Sequence, residues 1–315
     1  MKHSRSNHGI PLVYSPNYSI RWDPKHRFPM AKYRLLYEHL SRNGIATRYN
    51  TYISSPSPHE WLQLAHEPAY IDRFVRGLMG EREQKHLGLV WSEQLVTRTL
   101  TAVGGSVQTC RLALRFGLAC HLAGGTHHAF ADHGNGFCVF NDMAVAARTL
   151  LDKDGLKRIL ILDCDVHQGD GTAHILADDR RVFTCSIHGK TNYPFEKQRS
   201  DLDVALVAGT DDATYMAALN QTLDRLEQLG QFDLLIYDAG SDVHQDDRLG
   251  QMQLTDQGVK DRDLRVLDWA AKKSLPTACM IGGGYDHNHQ RLAERHGLLF
   301  ETADQFYRRQ FCLDS

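Results

Sequence analysis

Short apolar runs alternate along this chain with longer stretches of helical periodicity. Runs of β-type residues stand at positions 12–14, 117–122, 158–163, 181–187, 232–237 and 277–281. Helical patterns occupy positions 29–40, 67–78, 92–114, 141–151, 211–229 and 255–271. In the fifth of these, Tyr215, Ala218, Leu219, Leu223 and Leu226 recur at helical spacing. Short strands alternating with helices imply crossover units. The expected fold class is therefore α/β, an open and mostly parallel β-sheet with helices on both faces. The first 60 residues read differently, being rich in loop signals such as Ser15-Pro16, Asp23-Pro24 and the run from Ser54 to Pro58. No internal repeat, low-complexity tract or break in composition divides the chain, so one domain over residues 1–315 is expected.

In open α/β sheets, ligands bind beyond the carboxyl ends of the strands. Four strand ends here carry unusual residues. Gly124-Gly125-Thr126-His127-His128 follows the second run, and Cys164-Asp165-Val166-His167-Gln168-Gly169-Asp170 follows the third. Asp238-Ala239-Gly240-Ser241-Asp242 follows the fifth, and Gly282-Gly283-Gly284-Tyr285 the sixth. Their convergence on one edge is the central expectation.

The pattern Asp163-x-Asp165-x-His167 would place all three side chains on one face if the extended backbone continued through it. A carboxylate and an imidazole suit Zn²⁺ or another first-row divalent ion, and Asp242 is the best third ligand. Two Asp and one His leave a coordination position open, as a hydrolytic metal site requires. One of His127 and His128 could take a proton from an activated water and return it to a leaving amine. Asp163 and Asp170 are spare carboxylates placed to fix their tautomers. Tyr285 could stabilise an oxyanion. The triple glycine lacks the spacing of a phosphate cradle.

Composition narrows this further. Lys+Arg is 36 and Asp+Glu 38, a net charge of −2, without the basic excess of a nucleic-acid binder. Histidine is abundant, at 18, and histidine is the commonest metal ligand and general base. The seven cysteines (Cys110, Cys120, Cys138, Cys164, Cys185, Cys279 and Cys312) form no CxxC pair and read as reduced thiols of a cytoplasmic protein. Residues 1–10 show no apolar secretion signal, and no apolar run approaches the roughly 18 residues of a membrane helix. Neither nucleic acid nor membrane is expected as a partner; the oligomeric state is left open.

Taken together, the motifs resemble the zinc-dependent histone deacetylases of the arginase/deacetylase fold. The resemblance rests on GGTHHAFADHGNGFCVFN at 124–141, ILDCDVHQGDG at 161–171, DAGSDVHQDDRLG at 238–250 and GGGY at 282–285, in that order and across nearly the whole chain. HRFPMAKYRLL at 26–36 and the DRLG at 247–250 resemble the class IV branch and its bacterial relatives. The resemblance implies Asp165, His167 and Asp242 as ligands of one Zn²⁺ per chain, with Fe²⁺ as an alternative. It implies His127 paired with Asp163, and His128 with Asp170, His128 being the principal acid and base. Tyr285 would hold the oxyanion. A structural K⁺ would sit at Asp163, Asp165, His167, Ser186 and Ile187. Gly136, Phe137, Tyr193, Leu249 and Gly283 would line the substrate channel.

The reaction so implied is hydrolysis of an acyl group, acetyl or longer, from a lysine side chain of a protein or peptide. A small acylated amine such as an acetylpolyamine is the alternative substrate, but the apolar Leu249 at the gate offers no anion for a second ammonium. A non-catalytic acyl-lysine reader would be expected to lack a ligand or Tyr285, and both are present. A binuclear ureohydrolase would need a denser carboxylate set, whereas His167 is followed by Gln168-Gly169.

Overall fold

Eight parallel strands build one sheet in the computed structural model, which describes residues 8–23 and 25–311. Most of the stretch read for a secretion signal (residues 1–7), Pro24 and Cys312 lie outside the described residues. The strands are β1 (Leu12–Tyr14), β2 (Thr51–Ile53), β3 (Leu118–His121), β4 (Ile159–Asp163), β5 (Val182–Gly189), β6 (Leu202–Leu206), β7 (Leu234–Asp238) and β8 (Thr277–Met280). Their order is β2-β1-β3-β8-β7-β4-β5-β6. Every pairing is parallel. The fold is the expected open α/β sheet, parallel throughout rather than mostly so.

Strands β3, β4, β7 and β8 are buried at every position, which explains why they read as continuous apolar runs such as Ile-Leu-Ile-Leu. Among the described residues the helices are α1 (Lys32–Arg42), α2 (His59–Leu62), α3 (Pro68–Val75), α4 (Glu81–Leu87), α5 (Glu93–Phe116), α6 (Asp142–Lys153), α7 (Asp170–Leu176), α8 (Asp212–Glu227), α9 (Asp256–Lys272) and α10 (His289–Phe311). Helices α8, α9, α10 and α1 pack in series, and α5, α6 and α7 form a second series. Side-chain caps start the long crossovers. Ser92 accepts from Leu95 N–H at α5, Asn141 from Ala144 N–H at α6, and Asp211 from Thr214 N–H at α8.

One consequence of the strand order matters for function. The four strands whose ends carry the unusual residues are β3, β8, β7 and β4, four neighbours at the centre of the sheet. Their ends are level, because Asp163 pairs in register with Asp238, and Asp238 with Met280. The cysteines at 110, 120, 138, 164, 185 and 279 are free and buried. Among the described residues, no helix is long and apolar enough to cross a membrane.

Candidate active site

Strand β4 ends at Asp163, so the extended backbone does not continue through Asp165 and His167 as the alternation reading required. The carboxylates themselves fold the loop. Asp163 Oδ1 accepts from Asp165 N–H at 3.0 Å, and Asp165 Oδ1 accepts from His167 N–H at 2.9 Å. Such local side-chain bonds replace the sheet ladder with tight turns. The outcome is still convergence. Asp165, His167 and Asp242 each offer a ligand atom, and these atoms lie within 4.8 Å of one another, all buried. His167 Nδ1 stands 3.1 Å from Asp165 Oδ1 and 3.1 Å from Asp242 Oδ2.

Two further backbone groups hold this cluster. Val166 N–H donates to Asp242 Oδ1 at 2.9 Å, and Gly283 N–H to Asp165 Oδ2 at 2.6 Å. A Cβ on Gly283 would fall 2.1 Å from Asp242 Oδ2, which explains a glycine there. Burial discourages charge on Asp242, and the neighbouring Asp165 adds to this, pushing it up to about 7. Burial also opposes a charged His167, but its bonds to Asp165 and Asp242 outweigh it and raise the ring to about 10. Two carboxylates and an imidazole packed this tightly form a donor set that fits a divalent cation in place of protons.

The loop after β3 delivers the two histidines. Asp142 at the start of α6 accepts from Thr126 N–H at 2.7 Å, fixing the turn that precedes them. His127 Nδ1 lies 2.7 Å from Asp163 Oδ2, and His128 Nδ1 lies 2.6 Å from Asp170 Oδ1. Asn135 Nδ2 supports Asp170 Oδ2 at 3.3 Å. Burial disfavours charge on His127, yet Asp163, Asp165 and Asp238 together hold it well above the usual imidazole range. Burial and then the neighbouring His127 lower His128 to about 4.

A cavity of about 30 Å³ opens between these groups, room for little more than a water. His127, His128, Asp165, His167, Gly136, Phe137, Gly283 and Tyr285 line it. The Tyr285 ring stands edge-on to His167, centroids 6.4 Å apart. Phe137 has φ of 66°, a left-handed backbone that costs a bulky residue about 1–3 kcal/mol. Its N–H donates to Leu87 O at 2.9 Å, and its ring packs against Phe28. Tyr193 and Leu249, expected in the channel, lie outside the inner cavity. Tyr193 stands edge-on to His128 at 5.0 Å and donates to Asn135 Oδ1, while Leu249 O accepts from Asn192 Nδ2 at 2.9 Å.

Ser186 lies directly across from Asp163 on β5, with Ile187 beside it; Ser186 Oγ and His188 Nδ1 are 3.0 Å apart. Sequence reasoning missed three groups. Phe28, Lys32 and Tyr33 line the cavity from the first helix and the loop before it. Lys32 is 2 % exposed, donates to Gly282 O at 3.2 Å, and burial lowers its ammonium to about 8. A lysine facing the apolar side of α1 was the available signal. Asp238, which the sequence places in a strand-end motif without a role, has both oxygens buried with no hydrogen-bond partner, 3.8 Å from His127 Nδ1 at the nearest.

Known proteins place this arrangement. An HDAC homolog from Aquifex aeolicus superposes with a TM-score of 0.78 over 94 % of this chain and 84 % of its own, at 23 % identity. An HDAC homolog complexed with SAHA matches with a TM-score of 0.77. These show a shared fold. An uncharacterized protein from a Picosynechococcus strain is 46 % identical over 95 % of this chain and 100 % of its own. Histone deacetylase 2 of Arabidopsis thaliana is 32 % identical over 60 % of this chain, which spans half of that protein. The acetoin utilization protein AcuC of Staphylococcus aureus is 28 % identical over 86 % of this chain and 76 % of its own. The histone deacetylase domain family matches residues 26–298, and with the fold and the convergent strand ends this makes the chain a member of the histone deacetylase family.

Proposed function

We propose that this chain is a metal-dependent amide hydrolase that removes acyl groups, acetyl or longer, from lysine side chains of proteins or peptides. The observation that carries this is the pairing of two adjacent histidines with two separate buried carboxylates beside the Asp165–His167–Asp242 cluster. Asp165, His167 and Asp242 would hold one Zn²⁺, or Fe²⁺ in its place. When bound, that ion lowers the pKa of a water and polarises the acyl carbonyl.

The chain's own groups do the rest. His128 is neutral near pH 7, with Nδ1 held by Asp170, so its other ring nitrogen is free to accept the water's proton and return it to the departing amine. His127 stays cationic and offers positive charge as negative charge grows on the acyl oxygen. Tyr285, its hydroxyl kept protonated because burial raises it well above the usual phenol range, would donate to that oxygen. Phe137 and Tyr193 would flank the lysine stem, with Gly136, Gly283 and Leu249 completing the channel. Asp163, Asp165, His167, Ser186 and Ile187 would hold a structural K⁺. The buried free thiols suit a reducing compartment such as the cytoplasm.

The test is turnover of metal-reconstituted protein on acyl-lysine peptides from acetyl through trifluoroacetyl to long-chain, alongside acetylated polyamines, with Asp165→Ala as the blank. Hydrolysis of the lysine peptides that disappears in the blank is the expected result. Turnover of polyamines alone would move the substrate to small amines. Binding of acyl-lysine without turnover would make the chain a reader.

A further inference from the structure

We infer that Arg262, which touches no reacting group, sets the spacing of the two loops that carry Asp165 and Asp242 and so governs how tightly the centre holds its metal. This rests on the metal-centre reading above. The β4–β7 ladder ends with Cys164 N–H donating to Asp238 O at 2.9 Å. Beyond that rung the chain after β7 follows β8 instead. Ala239 N–H donates to Met280 O at 3.0 Å, and Ser241 N–H to Gly283 O at 2.9 Å. Beyond that rung no backbone–backbone bond joins the two ligand loops among the described residues, and the carbonyls of Cys164, Ala239 and Gly240 need donors from elsewhere.

One side chain supplies all three. Arg262, on α9, is fully buried. Its Nη1 donates to Gly240 O at 2.7 Å and Cys164 O at 3.3 Å, and its Nη2 to Ala239 O at 3.2 Å. Nε donates to Asp263 Oδ1 at 2.9 Å, the oxygen that also accepts from Tyr237 Oη at 2.6 Å. The guanidinium is a rigid planar fork, so anchoring one edge on Asp263 fixes where the other donors point. It thereby bridges Cys164, which precedes Asp165, and Gly240, which stands two residues before Asp242. The loops are already in contact, since a Cβ on Gly240 would come 2.5 Å from Asp165 Oδ2. Asp165 packs against Gly240, whose carbonyl Arg262 pins, so neither loop can shift without moving a ligand.

Outer supports of metal ligands are typically worth about 10–100-fold in metal affinity. The experiment compares wild type, Arg262→Met, Arg262→Lys and Arg148→Met in the full chain. Zn²⁺ dissociation constants come from chelator competition, and unfolding temperatures of the metal-free proteins from calorimetry. Arg148 is the control, because it too clasps two carbonyls, Leu64 O and Ile175 O, but none in the ligand loops. Arg262→Met is expected to raise the Zn²⁺ constant about 10–100-fold. Arg262→Lys, with a point charge and no fork, should fall between it and wild type. Arg148→Met should lower the unfolding temperature and leave the constant alone. Unchanged zinc affinity in Arg262→Met, with a lowered unfolding temperature like that of Arg148→Met, would overturn the inference. If Arg262→Met does not fold, wild-type affinity in Arg262→Lys overturns it. A wild-type chain that takes up no zinc would sink the metal centre itself, and this inference with it.

Discussion

His127 and His128 are neighbours in the chain, both nearly inaccessible, each with Nδ1 on a carboxylate at hydrogen-bonding distance. Their protonation nevertheless goes opposite ways. His127 faces Asp163 and also stands 3.9 Å from Asp165 and 3.8 Å from Asp238, and it is held charged. His128 has Asp170 alone, with the cationic His127 beside it, and is held neutral. Depth of burial cannot explain the difference, because both rings are equally deep. The number of carboxylates around each ring does, and on the function proposed above this would let one dipeptide supply both a fixed charge and a proton acceptor.

The contrast can be broken most forcefully at the acceptor. His128→Ala should lower kcat by about 10²–10⁴-fold on an acyl-lysine peptide. His127→Ala should lose less, because the acceptor remains; equal losses would erase the distinction. Tyr285→Phe, which leaves both rings in place, should cost about 10²–10³-fold in kcat, as for one oxyanion donor. An unchanged kcat would show that the hydroxyl takes no part.

The smallest effect sharpens the same rule away from the site. His66 and His121 are as deeply buried but lack a carboxylate partner. His66 Nε2 accepts from Asn141 N–H at 2.9 Å, and His121 is bonded to Tyr18 and Ser106. Burial lowers them from 6.5 to about 4 and about 3. The unfolded chain takes up the protons that the fold excludes, so their stabilisation is complete above pH 6.5 and fades as pH falls toward the lower values. Each should contribute a slope approaching about 1.4 kcal/mol per pH unit in between. Denaturation in urea from pH 7 to 4 reads this, and His66→Gln, which cannot be protonated, should lose less stability across that range.

How far the site could be read beforehand depends on where its information sits. The histidine pair, the DxDxH run, Asp242 and Tyr285 follow directly on apolar runs, so a rule about strand ends was enough to gather them. The two unread strands, β2 and β6, are the two edges of the sheet. One has three residues, and the other, Leu-Asp-Val-Ala-Leu, is short, half-exposed and interrupted by a carboxylate. Helix α10 also went unread, although Leu292, Leu299, Ala303 and Phe306 recur at helical spacing, because arginines, histidines and acids dilute the stripe. Alternation predicts an extended loop at Asp165, whereas its turns are made by carboxylates bonding to backbone N–H groups, and composition does not reveal which partner an Asp chooses. Arg262 looks like an ordinary surface charge in one dimension; only the packing of α9 buries it.

The cavity is a joint between two stretches of chain far apart in sequence. The groups proposed to break the bond lie in loops between residues 124 and 285, while Phe28, Lys32 and Tyr33 close the same space from near the amino terminus. The early segment thus closes one side of a space whose other walls, Gly136, Phe137 and Gly283 among them, come from the later stretch. On the reading proposed above, substitutions at Phe28, Lys32 and Tyr33 would reshape the acyl pocket without touching Asp165, His167, Asp242 or the two histidines, so relatives that share all five would still part company over which acyl group they accept.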